Sequence, residues 1–164
     1  MQNTFLNIAA ALALGAGFGS AGAQPKPRLA PAATASSTAW LHDLTAARAQ
    51  AQASGRPLLA VFSGSDWCKP CVTFDREVFN QPAFIGYAKP RLVLAHFDFP
   101  RLPEHQLTPE QTRLNEAAKA QLNREGDFPL AVLVAPDGRV LAKTGYIAGG
   151  PAAFEAYLEK VLKP

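Results

Sequence analysis

Cysteine is almost absent from this chain: two of its 164 residues, Cys68 and Cys71, both inside the stretch Gly64-Ser65-Asp66-Trp67-Cys68-Lys69-Pro70-Cys71. With no second Cys-x-x-Cys, the four-ligand set of structural zinc is missing. His42, His96 and His105 are scattered, in the first helix, a strand and a loop, and read as surface or core residues; no metal ligand is assigned. Three uses of the pair stay open at this point: a redox couple, a two-thiolate site for copper or another soft metal, and a staple in a non-catalytic binding module. A bridge over so short a loop removes little chain entropy, which makes the staple a weak reason for having it.

Charge is missing where the chain starts. Positions 1–23 carry no Lys, Arg, Asp or Glu, and positions 8–19 run through small and apolar side chains only. A run of about 12 is too short to cross roughly 30 Å of hydrocarbon as a helix. Ala21-Gly22-Ala23 then supplies the small-x-small pattern of a signal-peptide cleavage site. The expectation is a signal peptide over 1–23, cleaved after Ala23, and a periplasmic or otherwise exported protein. No cysteine follows that site, which removes lipid attachment there. Residues 24–37, with three prolines among Ala, Ser and Thr, have little to bury and read as a flexible linker.

Runs of like charge and internal repeats are also lacking. Sixteen basic and 13 acidic residues, net +3 with a pI near 9.0, are spread along the chain. Such a surface is solvated and mildly basic, with no nucleic-acid footprint. What remains, 38–164, is one domain's length, able to bury roughly two thirds of its unfolded surface. No exposed apolar stripe stands out, and a monomer is expected.

The periodicities order the elements. Trp40, Leu44, Ala47 and Ala51 share a helical stripe ended by Gly55 and Pro57. The apolar run 57–62 reads as a strand buried on both faces. Cys71, Phe74, Asp75 and Val78 have helical spacing up to Asn80, and Pro82 opens a further short helical turn; 91–99 reads as a second strand. Thr108 caps a helix with Pro109 at its first position and Gln111 closing a capping box, its inner face being Leu114, Ala117, Ala118, Gln121 and Leu122. Strands at 130–135 and 139–145 flank Pro136-Asp137-Gly138, an antiparallel hairpin turn. Phe154, Tyr157, Leu158, Val161 and Leu162 stripe a last helix. The segment 101–105 is a loop or a partner surface.

A strand, helix, strand unit with Cys-x-x-Cys at its first strand-to-helix junction, then a helix, then a strand, strand, helix unit, resembles the thioredoxin fold. Trp67-Cys68-x-Pro70-Cys71, the Phe128-Pro129 pair before the hairpin and Asp137-Gly138 in its turn carry the resemblance, over about 38–162. The run Phe62 to Cys68 followed by Arg76-Glu77-Val78-Phe79 looks like the exported thioredoxin-like proteins. The resemblance implies an α/β domain with a central mixed sheet flanked by helices. Its implied activity is that of a thiol–disulfide oxidoreductase with no cofactor, leaning toward the reductant direction. The implied partners are thiols and disulfides of exported proteins and a membrane-bound thiol electron donor.

The chemistry follows from the motif. The thiolate is the attacking species, and an unperturbed thiol near pKa 8.5 is only ~3% ionised at pH 7. Cys68, at a helix start where unsatisfied N–H groups and the positive dipole end gather, is expected to be the nucleophile with a depressed pKa, helped by Lys69. Cys71, one turn in, is the expected resolving thiol, and Pro70 stiffens the link between them. By resemblance, Pro129 is a cis proline packed on the active-site disulfide, with the Phe128 backbone free to pair with a substrate strand. Trp67 shields the site and offers apolar contact. Thioredoxins usually bury an acidic residue in the strand before the motif; the run 58–62 has none. Glu77 or Asp66 is expected to substitute in proton handling.

Overall fold

The computed structural model describes residues 40–163; the expected signal peptide and linker lie outside the described residues. The elements are α1 (Leu44–Ser54), β1 (Leu58–Ser63), α2 (Lys69–Phe74) running into a π-helical turn (Asp75–Phe79), α3 (Pro82–Arg91), β2 (Val93–Asp98), a 3-10 turn (Pro103–His105), α4 (Pro109–Leu122), β3 (Leu130–Val134), β4 (Val140–Thr144) and α5 (Gly150–Leu162). The strands form one mixed sheet in the order β2-β1-β3-β4. β1 is parallel to β2 and antiparallel to β3, which pairs antiparallel with β4.

All six residues of β1 are buried, as a central strand covered on both faces requires. Successive side chains point to opposite faces. Leu58, Ala60 and Phe62 join Leu44, Ala47 and Ala51 of α1 and Ala118 and Leu122 of α4 in one core. Leu59 and Val61 face the other, with Phe74, Val78, Phe79, Phe84, Phe154 and Leu158 from the α2, α3 and α5 side. In that second core Phe74 lies 4.3 Å from Phe79 and 5.1 Å from Phe154, centroid to centroid. Each such ring takes roughly 150–250 Å² out of water, on the order of 4–6 kcal/mol as an upper bound. That packing anchors the helix which follows the cysteine motif.

Four expectations shift in register. The first helix starts at Leu44, where Asp43 caps it by accepting from the Thr45 N–H at 2.8 Å. Trp40 and His42 therefore precede the helix. Leu41 instead pairs with the open edge of β2, donating to Leu94 O at 2.9 Å and accepting from His96 N at 2.8 Å; an unpaired sheet edge offers the backbone that alternative. The helix after Cys68 changes pitch, and the wider turn at Asp75–Phe79 sends both Val78 and Phe79 inward. The turn opened by Pro82 grows into a ten-residue helix that keeps Arg91 out of β2.

Along α4, Thr108 caps as expected, accepting from Gln111 N at 3.2 Å. The Gln111 amide does not close the box; it donates to His42 O and to Asn115 Oδ1. The inner face is Asn115, Ala118 and Leu122, while Ala117 and Gln121 are exposed. Asn115 rotates the stripe because its own amide is satisfied inside, donating to Asp98 O at 2.7 Å, and a buried polar group with a partner is tolerated. The β3–β4 hairpin forms, turning at Gly138 with φ +90°.

Candidate functional site

The site is assembled at the C-terminal end of β1. Three consecutive residues there tie the incoming chain to the segment that leaves β2. Ser65 donates from its backbone N–H (2.8 Å) and its hydroxyl (2.6 Å) to the Asp98 carboxylate. The Asp66 carboxylate accepts from the N–H groups of Arg101 (3.0 Å) and Leu102 (2.9 Å) and meets His105 Nδ1 at 3.2 Å. Trp67 Nε1 donates to Phe99 O at 2.7 Å. The segment 101–105 is thus a loop held against the motif, and the three residues before Cys68 have little freedom.

Cys68 caps α2 in extended conformation, and its sulfur accepts from the Cys71 N–H at 3.3 Å. Cys68 and Cys71 form a disulfide, Cα to Cα 5.2 Å. The residue exposures are 5% for Cys68 and 1% for Cys71, so the first cysteine is the more accessible of two largely covered ones. Lys69 and Pro70 between them are exposed, and Val72 beyond them is 44% exposed.

The Phe128–Pro129 peptide bond is cis, at the entry to β3. The loop before it is clamped by the buried Asn123, whose side chain donates to Asp127 O at 2.8 Å and accepts from Asp127 N at 2.9 Å. The Phe128 ring meets Trp67 and Phe99, each at 5.3 Å between centroids. Trp67, Phe128 and the cysteine motif are therefore neighbours. Glu77 faces elsewhere: its carboxylate takes the Tyr146 hydroxyl and pairs with Arg76. Asp66 is engaged by the 101–105 loop. The half-buried carboxylate four residues past Cys71 is that of Asp75, which accepts from Ser63 Oγ at 3.3 Å and stands 3.6 Å from His96 Nε2.

Sequence reading did not single out Asp98 or Asn123, and took Arg101 only as part of the segment 101–105. Asp98 and Arg101 have partners more than thirty residues away, and only the strand pairing brings them to the motif; Asn123 instead closes a local turn onto Asp127. The Arg101 guanidinium lies over the Trp67 ring, 3.7 Å from its centroid. As for histidine, His42 Nδ1 contacts His96 O at 2.9 Å, whereas His105 belongs to the Asp66 loop. Among the described residues no group of three or more His, Cys, Asp or Glu side chains is arranged to hold a metal ion.

Burial raises the Asp66 pKa, but the Arg101 and Leu102 N–H groups and His105 outweigh it, and the carboxyl ends below its ordinary 3.8. A carboxyl whose folded pKa is depressed adds stability above its unfolded pKa, and loses that contribution as pH falls through the folded value. Asp66→Asn is therefore expected to melt below the native protein at about pH 5, with the gap narrower at about pH 3, where the unfolded carboxyl is already largely protonated. Tryptophan fluorescence melts at the two pH values measure it; an equal gap at both would mean the carboxylate charge does not hold the loop.

A Thioredoxin-like family model matches residues 39–136. The disulfide bond reductase DsbH of Chlamydia pneumoniae is 33% identical over 108 residues, which cover 66% of this chain and 63% of DsbH. The thioredoxin-related protein DsbJ of the same organism is 27% identical over 109 residues, 66% of this chain and 30% of DsbJ. The chain thus spans less than two thirds of the length of either relative. A solved structure of a DsbH oxidoreductase superposes with a TM-score of 0.69 at 25% identity, covering 85% of this chain and 95% of that one. With the sheet order, the Cys68–Cys71 pair at the start of α2 and the family match in agreement, the chain belongs to the thioredoxin-like family.

Proposed function

We propose that this protein is an exported thiol–disulfide oxidoreductase that works as a reductant, exchanging its Cys68–Cys71 pair with cysteine pairs of other exported proteins. The observation that carries the reading is the helix-start disulfide, with the Cys68 sulfur accepting an N–H from the first turn of α2 and the less exposed Cys71 behind it. An N–H aimed at that sulfur favours its ionised form. The similarity to a protein named a disulfide bond reductase supports the direction, and the signal peptide expected at 1–23 supports the exported setting.

In the reduced state the Cys68 thiolate attacks one sulfur of a substrate disulfide. A Cys68–substrate disulfide forms, and the second substrate sulfur leaves as a thiolate and takes up a proton. Cys71 then loses its proton and attacks the Cys68 sulfur, which releases the first substrate sulfur. The substrate gains two electrons and the pair ends as a disulfide, to be reduced again by a membrane-bound thiol donor. Pro129 and the Phe128 backbone border the incoming substrate strand, and Trp67 and Phe128 offer it apolar surface. Lys69 and Pro70 tune the pair by charge and stiffness. Asp66 and Glu77 act on it through the frame, one by fixing the loop behind Trp67, the other by tying the π turn to Tyr146.

The reduction potential tests the direction. Equilibrated against glutathione and dithiothreitol buffers, the pair is expected to titrate near or below about −230 mV, with thioredoxin and glutaredoxin. A value above about −180 mV would make the protein an oxidant or isomerase. A pair that does not titrate would remove the redox reading.

A further inference from the structure

Beside the cysteine pair, on the α4 side of the sheet, the structure holds an open cavity of about 270 Å³ bordered by Trp67, Phe99, Arg101, Gln106, Thr112 and Phe128, among others. Its wall is aromatic: Phe128 touches both Trp67 and Phe99. Its rim is of mixed charge, with Arg101 and Lys119 beside Asp98 and Glu116. Arg101 lies over Trp67 at 3.7 Å, and Lys119 stands 5.4 Å above the Phe99 ring. The acidic groups beside it are engaged: Asp98 by Ser65, and Glu116 by Lys119 at 3.3 Å. Arg101 is exposed, and among the described residues no carboxylate pairs with its guanidinium, so its donors are available on a group held over the Trp67 ring. Leu102 next to it is 43% exposed, and Val72 on the far side of the pair is 44% exposed; these are two of the four large apolar side chains most open to solvent among the described residues.

We propose that this cavity is a specificity site for the substrate segment that carries the reacting disulfide, seating one apolar side chain of that segment while Arg101 pairs with an adjacent carboxylate. The inference rests on the exchange reading and names the substrate class for it: disulfides flanked by apolar and acidic residues. The charge pattern selects this occupant. A basic segment would meet Arg101, the cation of the rim without a carboxylate partner among the described residues, and like charges brought close at an interface oppose binding. A neutral polar segment would leave the aromatic wall wet and the guanidinium unpaired. Small disulfides without flanking residues would react at the pair but gain nothing from the cavity.

The test uses three synthetic disulfide-bridged peptides with a phenylalanine immediately before the first cysteine, identical except that the two residues preceding that phenylalanine are Asp-Asp, Asn-Asn or Lys-Lys. Stopped-flow fluorescence of the reduced protein gives the second-order rate of each reaction. The Asp peptide is expected to outpace the Lys peptide roughly tenfold at low salt, with the ratio shrinking as ionic strength rises. Arg101→Glu should invert the order, and Arg101→Gln should bring it near unity. Because each variant is read as a ratio between peptides, a general loss of activity cancels. Replacing the phenylalanine by glycine should slow the Asp peptide severalfold in the native protein. Equal rates for the three peptides, or an Asp preference that survives in Arg101→Glu, would overturn the docking site while leaving exchange intact. A reduced native protein that fails even with the Asn peptide would overturn the exchange reading, and the site with it.

Discussion

Cys68→Ser is expected to abolish disulfide exchange outright, whereas Cys71→Ser stops turnover but keeps the first chemical step. A hydroxyl cannot enter an S–S bond, so without Cys68 no covalent intermediate exists to resolve. With Cys68 present and Cys71 gone, attack proceeds and the product accumulates as a one-to-one Cys68–substrate disulfide. Intact-mass analysis after mixing each reduced variant with an oxidised peptide reads both outcomes. The asymmetry in the fold supports this order: Cys68 caps α2 and is 5% exposed, Cys71 sits in the first turn and is 1% exposed. Neither variant should fail for lack of folding. Closing so short a loop contributes at most about 2 kcal/mol in the chain-entropy picture, and domains of this size hold about 5–15 kcal/mol. A trapped adduct on Cys71 in the Cys68→Ser protein would reverse the assignment of nucleophile and resolver.

Gly64→Ala is the second large effect. A Cβ at Gly64 would stand 2.4 Å from Trp67 Cε2 and 2.6 Å from Nε1, closer than packed atoms tolerate. The indole cannot swing away freely. It donates to Phe99 O, abuts Phe128 and carries the Arg101 guanidinium on its face. Forced repacking of this kind costs about 1–3 kcal/mol, against a gain of about 0.4–1 kcal/mol from the less flexible unfolded chain. A net destabilisation with a lower denaturation midpoint is therefore expected, together with altered tryptophan emission and slower exchange with peptide disulfides. If Gly64→Ala matched the native protein in both midpoint and peptide rate, Trp67 would be free to move and its part in shaping the site would fall.

Much of this was legible in the chain. The run 57–62 announced a doubly covered strand, and Asp137-Gly138 announced a hairpin. Thr108-Pro109 marked where α4 begins, because capping chemistry acts over three or four residues. The errors also have local causes. Trp40 fits a helical stripe with Leu44, Ala47 and Ala51, but periodicity is blind to Asp43, which caps the helix later, and to the β2 edge that claims Leu41. Ala117 and Gln121 looked inward because apolar and long residues sat at the expected spacing. The burial of Asn115 rotates the face instead, and the partner that makes it possible is a backbone carbonyl at Asp98.

The division runs along the range of the interactions. The sequence by itself determined the order of elements, the helix-start cysteine pair and the residues that flank it, since hydrophobic period, caps, turns and a Cys-x-x-Cys are all contained within a few residues. Only the tertiary structure decided what surrounds that pair. Ser65, Asp66 and Trp67 are bound to Asp98, Arg101 and Phe99, more than thirty residues away, because β1 and β2 lie parallel and end together. Phe128 reaches Trp67 because β3 pairs with β1 from the other side. Strand pairing closes loops of that length, and no local pattern encodes which distant side chains will meet when it does.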